Sequence, residues 1–289
     1  MNHLMSACRV WLKLLQNNWS VTIILTGITT LILAIAWQQF KMIHALGYLA
    51  AMLLVALIVE IVYQRYPLAT TSWLIQNNKQ EISILIMVIA MQWIATLGRF
   101  VWVADWNHAE TPIRLTLFIM MILFIYPVFL LIYYFAIARY KPVQLGLSIN
   151  KSMWISLPVI AVIAAFSFLV APESIRFATL YESHGLLQLI LLGFLTAALP
   201  EEFIRLLLQT RLAKVFRNNA WSWLITGLLW AAIHIPNFHQ TSNWQNATVT
   251  ALAILPIGLL WGYSTHRFKS IWPSVIIHGT NLWGLHSLF

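Results

Sequence analysis

Apolar runs about as long as a membrane is thick recur along the whole chain. A transmembrane helix needs about 20 predominantly apolar residues. We expect nine spans, at residues 20–38, 43–64, 82–104, 113–137, 152–171, 184–210, 219–236, 246–265 and 271–289. Only 9% of the 289 residues are charged, against about 25% in a soluble domain. The sequence therefore predicts an all-α, polytopic transmembrane bundle of about eight or nine spans, eight if one early segment is re-entrant.

The basic residues of the expected loops fall mainly on one side of this bundle. Three lie on the opposite side, namely Lys41, Arg114 and Arg176. Cytoplasmic loops carry an excess of Lys and Arg, so we expect a cytoplasmic N-terminus, and the composition and loop pattern indicate a bacterial inner membrane. The twelve on the expected cytoplasmic side are Arg9, Lys13, Arg65, Lys79, Arg139, Lys141, Lys151, Arg211, Lys214, Arg217, Arg267 and Lys269.

Short connections predict a single domain with two parts. Residues 1–144 would form variable N-terminal transmembrane helices, and residues 145–289 would form a helical core whose last four spans contain the polar candidate residues. The net charge of +9 does not indicate nucleic-acid binding, because the cations stand singly in short loops. The lipid bilayer is the expected partner. The only cysteine is Cys8, which excludes an intrachain disulfide and a thiolate metal cluster.

Three carboxylates fall inside expected spans: Glu60, Glu201 and Glu202. A charge at the centre of a membrane helix costs roughly 2.5–3.5 kcal/mol on insertion scales. Glu60 lies near Tyr63 and Arg65 at the cytoplasmic end of its span, where it can snorkel or pair, so we expect a structural role. The adjacent Glu201 and Glu202 have no such explanation, and they indicate chemistry or transport.

Arg205 follows the two acids at helical spacing, three residues after Glu202 and four after Glu201. Both spacings bring side chains together on a helix. One carboxylate can then pair with Arg205, while the other serves as a general base. A plain intramembrane ion pair that orients the helices is the alternative.

Two histidines follow in later spans, His234 four residues after Trp230, and His278 three residues before Asn281. One Glu, two His and one Asn can hold and deprotonate a water molecule, with or without a metal. Asn281 is a neutral donor suited to a developing oxyanion.

Depth estimates do not place all these residues at one level. Glu201 lies ten residues from the expected loop residue Arg211, or roughly 14 Å at the helical rise per residue. His234 lies seventeen residues from Arg217, or about 25 Å. The difference requires a seventh helix that starts beyond the membrane or is strongly tilted.

Residues 145–289 resemble the CAAX-protease and bacteriocin-processing group of intramembrane endopeptidases. The pattern of that family is Glu-Glu-x-x-x-Arg, then aromatic-x-x-x-His, then His-x-x-x-Asn/Asp, on successive helices. The first and third motifs are one residue shorter here. The corresponding residues are Glu201, Glu202 and Arg205; Trp230 and His234; and His278 and Asn281.

The resemblance implies hydrolysis of peptide bonds in a membrane protein or peptide substrate. Glu201 or Glu202, with His234, would activate a water molecule, and the shortened first motif leaves both acids as candidates for the base. His278 and Asn281 would stabilise the oxyanion, and Arg205 would orient the carboxylates.

The same resemblance leaves the cofactor open. Glu201, His234 and His278 could ligate a divalent metal such as zinc, whereas Asn281 suits a metal-free mechanism.

Two other classes of function remain open from the sequence. A non-catalytic relative that acts in bacteriocin immunity or as a membrane scaffold would keep the polar pocket for binding or stability. A proton-coupled transporter would also use intramembrane Glu and His, although the chain has no detectable inverted repeat.

Overall fold

We describe the protein from a computed structural model. It covers residues 2–39, 41–66, 73, 75–103, 128–147, 154, 182, 198–239 and 243–281, with the backbone alone described for 2, 95–103, 237, 239, 280 and 281. Every regular element in these ranges is helical, which confirms the all-α prediction for this part of the chain. The expected span at 152–171 and most of that at 113–137 lie outside the described residues.

Nine α-helices are described. They are α1 (Asn2–Asn17), α2 (Trp19–Gln38), α3 (Met42–Arg65), α4 (Asn78–Val103), α5 (Leu199–Phe216), α6 (Asn219–Ile233), α7 (Ile235–His239), α8 (Trp244–Phe268) and α9 (Trp272–Asn281). Between α4 and α5 lie a short apolar helix at Val128–Ile137 that ends in a π-helical turn, and a 3-10 turn at Pro142–Leu145.

Three of the described helices, α2, α3 and α8, are long and apolar enough to cross a membrane. The protein is therefore a membrane protein, and the count of eight or nine spans stays a prediction. The most apolar stretch of α2 is only 17% buried, whereas that of α8 is 61% buried. Helix α8 is thus the centre of the described bundle, packed against α3, α5, α6 and α9, and α2 presents most of its surface outward.

Helix α1 was not predicted, because it is too short and too polar to count as a span. It packs on α3 and buries Ala7, while Leu4, Met5 and Leu12 are about half exposed. It also carries His3, Arg9 and Lys13. An amphipathic helix with exposed leucines and basic residues is suited to lie in the plane of the membrane surface.

Helices α5 and α6 form a tight hairpin that differs from the predicted spans. Arg217 ends α5 in the left-handed conformation, with φ of 51°, and the side chain of Asn218 then caps α6 by accepting from the Ala220 and Trp221 amides. Helix α5 continues six residues beyond the predicted end at 210. Helix α6 stops at Ile233 rather than 236, and a new short helix follows. The hairpin makes α5 and α6 antiparallel neighbours.

Gly258 sets how closely α6 approaches α8. A Cβ atom at this position would lie 2.3 Å from the Trp230 ring, closer than real contacts allow. The absence of a side chain lets the indole rest on the α8 backbone, which brings the end of α6 to the start of α5.

Candidate active site

Glu201 and Glu202 lie in the first turn of α5, after Pro200. Ala198, the residue before this helix, also has helical backbone angles, with φ of −62° and ψ of −49°. The two acids are therefore neighbours on helical backbone, and Arg205 follows them at three and four residues, spacings that bring side chains together on a helix.

Glu202 is held in a buried network. Its side chain is 0% exposed, and Oε1 lies 2.8 Å from Arg205 Nη2 and 3.0 Å from His278 Nδ1. Arg205 in turn donates from Nη1 to the Gly258 carbonyl at 2.8 Å. These contacts tie α5 to α8 and α9, so Glu202 and Arg205 act as an anchor for the site.

The Arg205 guanidinium also lies between two indole rings, 4.5 Å from the centroid of Trp230 and 5.1 Å from that of Trp261. Aromatic faces attract a cation, more strongly when both groups are shielded from water. The expected role of Arg205 next to the carboxylates thus has a physical basis: the guanidinium is fixed from three helices.

Glu201 is the more accessible of the two acids, with a side chain 13% exposed. Its Oε2 atom accepts a hydrogen bond from Trp230 Nε1 at 2.8 Å. It also lies 3.6 Å from His234 Nε2 and 3.8 Å from His278 Nε2. Polar separations beyond about 3.5 Å leave room for a bridging water. Two imidazole nitrogens therefore converge on one carboxylate oxygen at a spacing suited to holding a water.

The orientation of each histidine follows from its second ring nitrogen. His234, directly after the last residue of α6, has Nδ1 2.9 Å from the Trp230 carbonyl. Since a carbonyl only accepts, Nδ1 carries the proton and the neutral ring presents Nε2 as an acceptor. His278 Nδ1 faces Glu202, and its ring stacks on Trp261 with 4.0 Å between centroids. Both rings are thus fixed with Nε2 toward Glu201.

The hairpin removes the difference in depth that the sequence suggested. Arg211, which the sequence pattern places in a loop, is 1% exposed and marks no membrane boundary. Counted from the turn residue Arg217, Glu201 lies sixteen residues away and His234 seventeen. At the helical rise both distances are about 25 Å, so no unusual tilt of α6 is needed.

Asn281 is the last residue of α9, and its side chain lies outside what the structure describes. It follows His278 by three residues, a spacing that places both on one helical face. Its role at the oxyanion stays a prediction.

The three expected metal ligands, Glu201, His234 and His278, lie near one another without forming a ready metal site. Within the described ranges, no group of three or more His, Cys, Asp and Glu side chains could hold a metal ion. Glu201 Oε2 already accepts the indole N–H of Trp230. A metal bound by Glu201, His234 and His278 therefore stays a prediction from the sequence.

A small cavity of about 20 Å³ lies beside Glu201, between α4, α5 and α6. A buried water requires roughly 10–15 Å³ of such space and polar partners, so the cavity suits one water molecule. Among the described residues, Arg205 Nε and Thr226 Oγ1 have no hydrogen-bond partner. The lining consists of Ile89, Gln92, Glu201, Ile204, Arg205, Leu208, Thr226, Leu229, Trp230 and Ile233.

Sequence reasoning missed a fourth buried acid, Glu81, which is 1% exposed. Its Oε2 atom lies 2.7 Å from Arg211 Nε and 2.6 Å from Nη2, and its Oε1 accepts the Tyr140 hydroxyl at 2.6 Å. Burial and the hydrogen bond to Glu81 raise the pKa of Tyr140 to about 12, so the phenol remains a donor at neutral pH. The partners are too far apart in sequence for any local signal to reveal them.

Glu60 is paired, as the sequence led us to expect, but with residues of α8. Its carboxylate lies 2.8 Å from Arg267 Nε and accepts the Tyr263 hydroxyl. The pair joins α3 to α8. Arg267, like Arg211, is therefore a bundle residue and not a simple loop cation.

The candidate residues all fall in the segment that matches a known family. Residues 183–283 match the family described as type II CAAX prenyl endopeptidase Rce1-like. The resemblance seen in the motifs is confirmed. The Rce1-like family is a family of proteases, which supports the expectation that this protein is an enzyme. No curated protein and no solved structure matched the chain.

Proposed function

We propose that this protein is an intramembrane endopeptidase that hydrolyses peptide bonds with a water molecule activated by Glu201. The main support is that two histidine nitrogens lie near one carboxylate oxygen of Glu201. His234 Nε2 is 3.6 Å and His278 Nε2 is 3.8 Å from Glu201 Oε2. All three residues lie in the Rce1-like segment. The positive-inside pattern supports a bacterial inner membrane with a cytoplasmic N-terminus.

The two acids have different roles in this proposal: Glu201 is the general base, and Glu202 positions the surrounding side chains. Glu202 is buried, and its Oε1 atom is held by Arg205 and His278, so this acid belongs to the ion-pair network. Glu201 is partly exposed and faces both Nε2 atoms. A general base must reach the proton that it abstracts, directly or through one water. We therefore assign the base to Glu201 and the positioning role to Glu202 and Arg205.

The reaction proceeds by addition of water to the scissile carbonyl. Glu201 takes one proton from the water as the water oxygen forms a bond with the carbonyl carbon. The second O–H bond of the water stays intact and donates a hydrogen bond to His234 Nε2. His278, with both ring nitrogens protonated, donates Nδ1–H to Glu202 and Nε2–H to the oxyanion, assisted by Asn281. The proton on Glu201 then passes to the departing amine nitrogen as the C–N bond breaks.

The substrate class is a membrane protein or a membrane-bound peptide, because Glu201 and His234 lie about 25 Å along α5 and α6 from the turn at Arg217. The family description names prenylated CAAX substrates, and we do not extend that specificity to this chain. A bacterial inner membrane is not expected to offer prenylated CAAX tails.

A comparison of membrane proteomes tests the proposal. The host strain would carry either the wild-type protein or Glu201→Gln at equal abundance. We expect at least one membrane protein to accumulate uncut in the variant strain, with its cleaved fragment found only in the wild type. Glu202→Gln is the second variant, and it should lower cleavage together with protein stability, because it weakens the buried network around Arg205.

A non-catalytic relative, in immunity or as a scaffold, is the second candidate. The one-residue shortening of the first motif and the tightly packed Glu202–Arg205 pair favour it, since both suit stability as well as catalysis. In that case Glu201→Gln, His234→Ala and His278→Ala would all keep the cellular function at normal abundance, and the protease proposal would fail.

A further inference from the structure

A second, larger cavity of about 430 Å³ lies away from the candidate active site. This volume is within the range of small-molecule and cofactor sites, about 300–1,000 Å³. It is bounded by α1, the starts of α2 and α6, and the last turns of α5 and α8. The lining residues that matter here are Trp11, Leu14, Leu15, Leu25, Gln209 and Arg267.

The polar part of this cavity is rich in hydrogen-bond donors. Trp11, whose indole lies 5.0 Å from the Tyr263 ring, has a buried Nε1–H with no partner among the described residues. The Gln209 amide makes only a long contact of 3.5 Å with the Gly262 carbonyl. Arg267 adds a cation, and the described lining residues include no carboxylate. A ligand that fits this wall is rich in acceptor oxygens.

The opposite wall is apolar and opens at the surface. Leu14 and Leu15 are 40% and 36% exposed, and Val21 and Leu25 continue this surface along α2. An acyl chain packed on these residues would leave water and cover exposed leucines. The cavity thus has an apolar side next to a donor-rich end. This arrangement is complementary to an amphiphilic ligand.

The position of the cavity matches the level of lipid head groups. Asn18 and Asn218 lie in the turns that join helices, and Arg267 is in the last turn of α8. Lys13 and Arg217 are exposed and lie one residue from the lining residues Leu14 and Asn218 in sequence, so two further cations belong to this region of the chain. Basic pockets between transmembrane helices on the cytoplasmic side are suited to anionic head groups.

From these contacts we infer that the cavity beneath α1 binds one anionic phospholipid. Its phosphate and ester oxygens accept from Trp11, Gln209 and Arg267, and one acyl chain lies along Leu14, Leu15 and Leu25. Helix α1 closes the site from the membrane surface. Glu60 keeps Arg267 in place at 2.8 Å without entering the lining.

Native mass spectrometry of the delipidated full-length protein tests this inference. The probes are phosphatidylglycerol, phosphatidylcholine and soluble glycerol 3-phosphate. We expect one phosphatidylglycerol per protein, bound at least fivefold more tightly than phosphatidylcholine. Glycerol 3-phosphate should not displace the lipid, because it lacks the acyl chains. Equal binding of the two lipids would overturn the inference, and so would full displacement by glycerol 3-phosphate, which would indicate a site for free phosphate.

Two variants and a control locate the bound lipid. Trp11→Phe removes the N–H donor and keeps an aromatic ring of smaller size, and it should weaken phosphatidylglycerol binding about fivefold, the effect of one hydrogen bond. Leu25→Trp should fill the apolar track and abolish the one-to-one complex. Trp19→Phe is the matched control, because Trp19 is 69% exposed and outside the lining. If Trp11→Phe, with an unchanged melting temperature, binds the lipid like the wild type, the lipid does not occupy this cavity.

Discussion

Trp230 donates its indole N–H to Glu201 Oε2 over 2.8 Å. The same residue accepts the Nδ1–H of His234 on its carbonyl at 2.9 Å, and its ring lies over Arg205. One aromatic residue therefore orients the proposed base, one histidine and the anchoring cation. The aromatic position of the second motif thus has a polar function here in addition to packing.

Trp230→Phe should retain the fold and lose the hydrogen bond to Glu201. We expect kcat to fall about fivefold to tenfold, since one hydrogen bond to a charged group contributes roughly 1.5–3 kcal/mol, part of which a water can replace. KM should change little, because a phenyl ring still occupies part of the indole position beside Arg205. The measurement is the turnover of a substrate peptide identified from the membrane proteome. An unchanged kcat would show that the indole N–H has no part in the reaction.

Removal of the Arg205 side chain should destabilise the protein more than removal of the whole ion pair. Arg205→Met removes the guanidinium and leaves buried Glu202 with the His278 contact alone, a loss of about 3–5 kcal/mol. The double variant Arg205→Met, Glu202→Gln removes both charges and should recover part of this loss. The free energy of unfolding in detergent, measured for each variant, gives the coupling. If the two substitutions changed the free energy of unfolding additively, the 2.8 Å contact between Arg205 and Glu202 would contribute nothing to stability.

The buried phenol Tyr140 should contribute to stability through Glu81. Tyr140→Phe leaves the Glu81 carboxylate with Arg211 and the Asn77 amide as partners, and we expect a loss of about 1–3 kcal/mol in the free energy of unfolding. Tyr66→Phe is the control, because Tyr66 is 45% exposed. The pKa of Tyr140, raised to about 12, adds a pH test. If the unfolded phenol titrates near its usual value of about 10, the folded state keeps its proton longer, so this contribution is full below about pH 10 and declines toward about pH 12.

Gly258→Ala should separate α6 from α8 at the candidate site. The new Cβ would fall 2.3 Å from the Trp230 ring, and overpacking of this kind typically costs about 1–3 kcal/mol. Gly47→Ala is the matched control, since no atom lies within 4 Å of a Cβ there and alanine is favoured in helices by up to about 1 kcal/mol. Thermal unfolding of both variants makes the comparison. Equal melting temperatures would contradict the close approach of the two helices.

The residues of the candidate site can be identified from the amino-acid order, whereas their contacts cannot. Glu201, Glu202, Arg205, His234 and His278 stand out because ionisable groups in apolar runs are costly. The division between Glu201 and Glu202 depends on which helices face each side of α5. That choice is made by Trp230, Trp261 and Gly258 on other helices, through packing that helical spacing does not encode.

Packing between distant helices also explains why two arginines were assigned to loops from the sequence but lie in the helical bundle. Arg211 and Arg267 follow apolar runs, so a count of loop cations includes them. Their partners Glu81 and Glu60 lie 130 and more than 200 residues earlier in the chain. Local spacing detects pairs three or four residues apart, and it does not detect pairs across the bundle.

The sequence by itself determined that this is a helical membrane protein and which polar residues require an explanation, because hydrophobic length and isolated charges are local properties. The tertiary structure decided that α5 and α6 fold back on each other, that Glu201 faces both histidines, and that α1 covers a donor-rich cavity. Those relationships come from the packing of distant helices, whose complementary surfaces form only when the chain is folded.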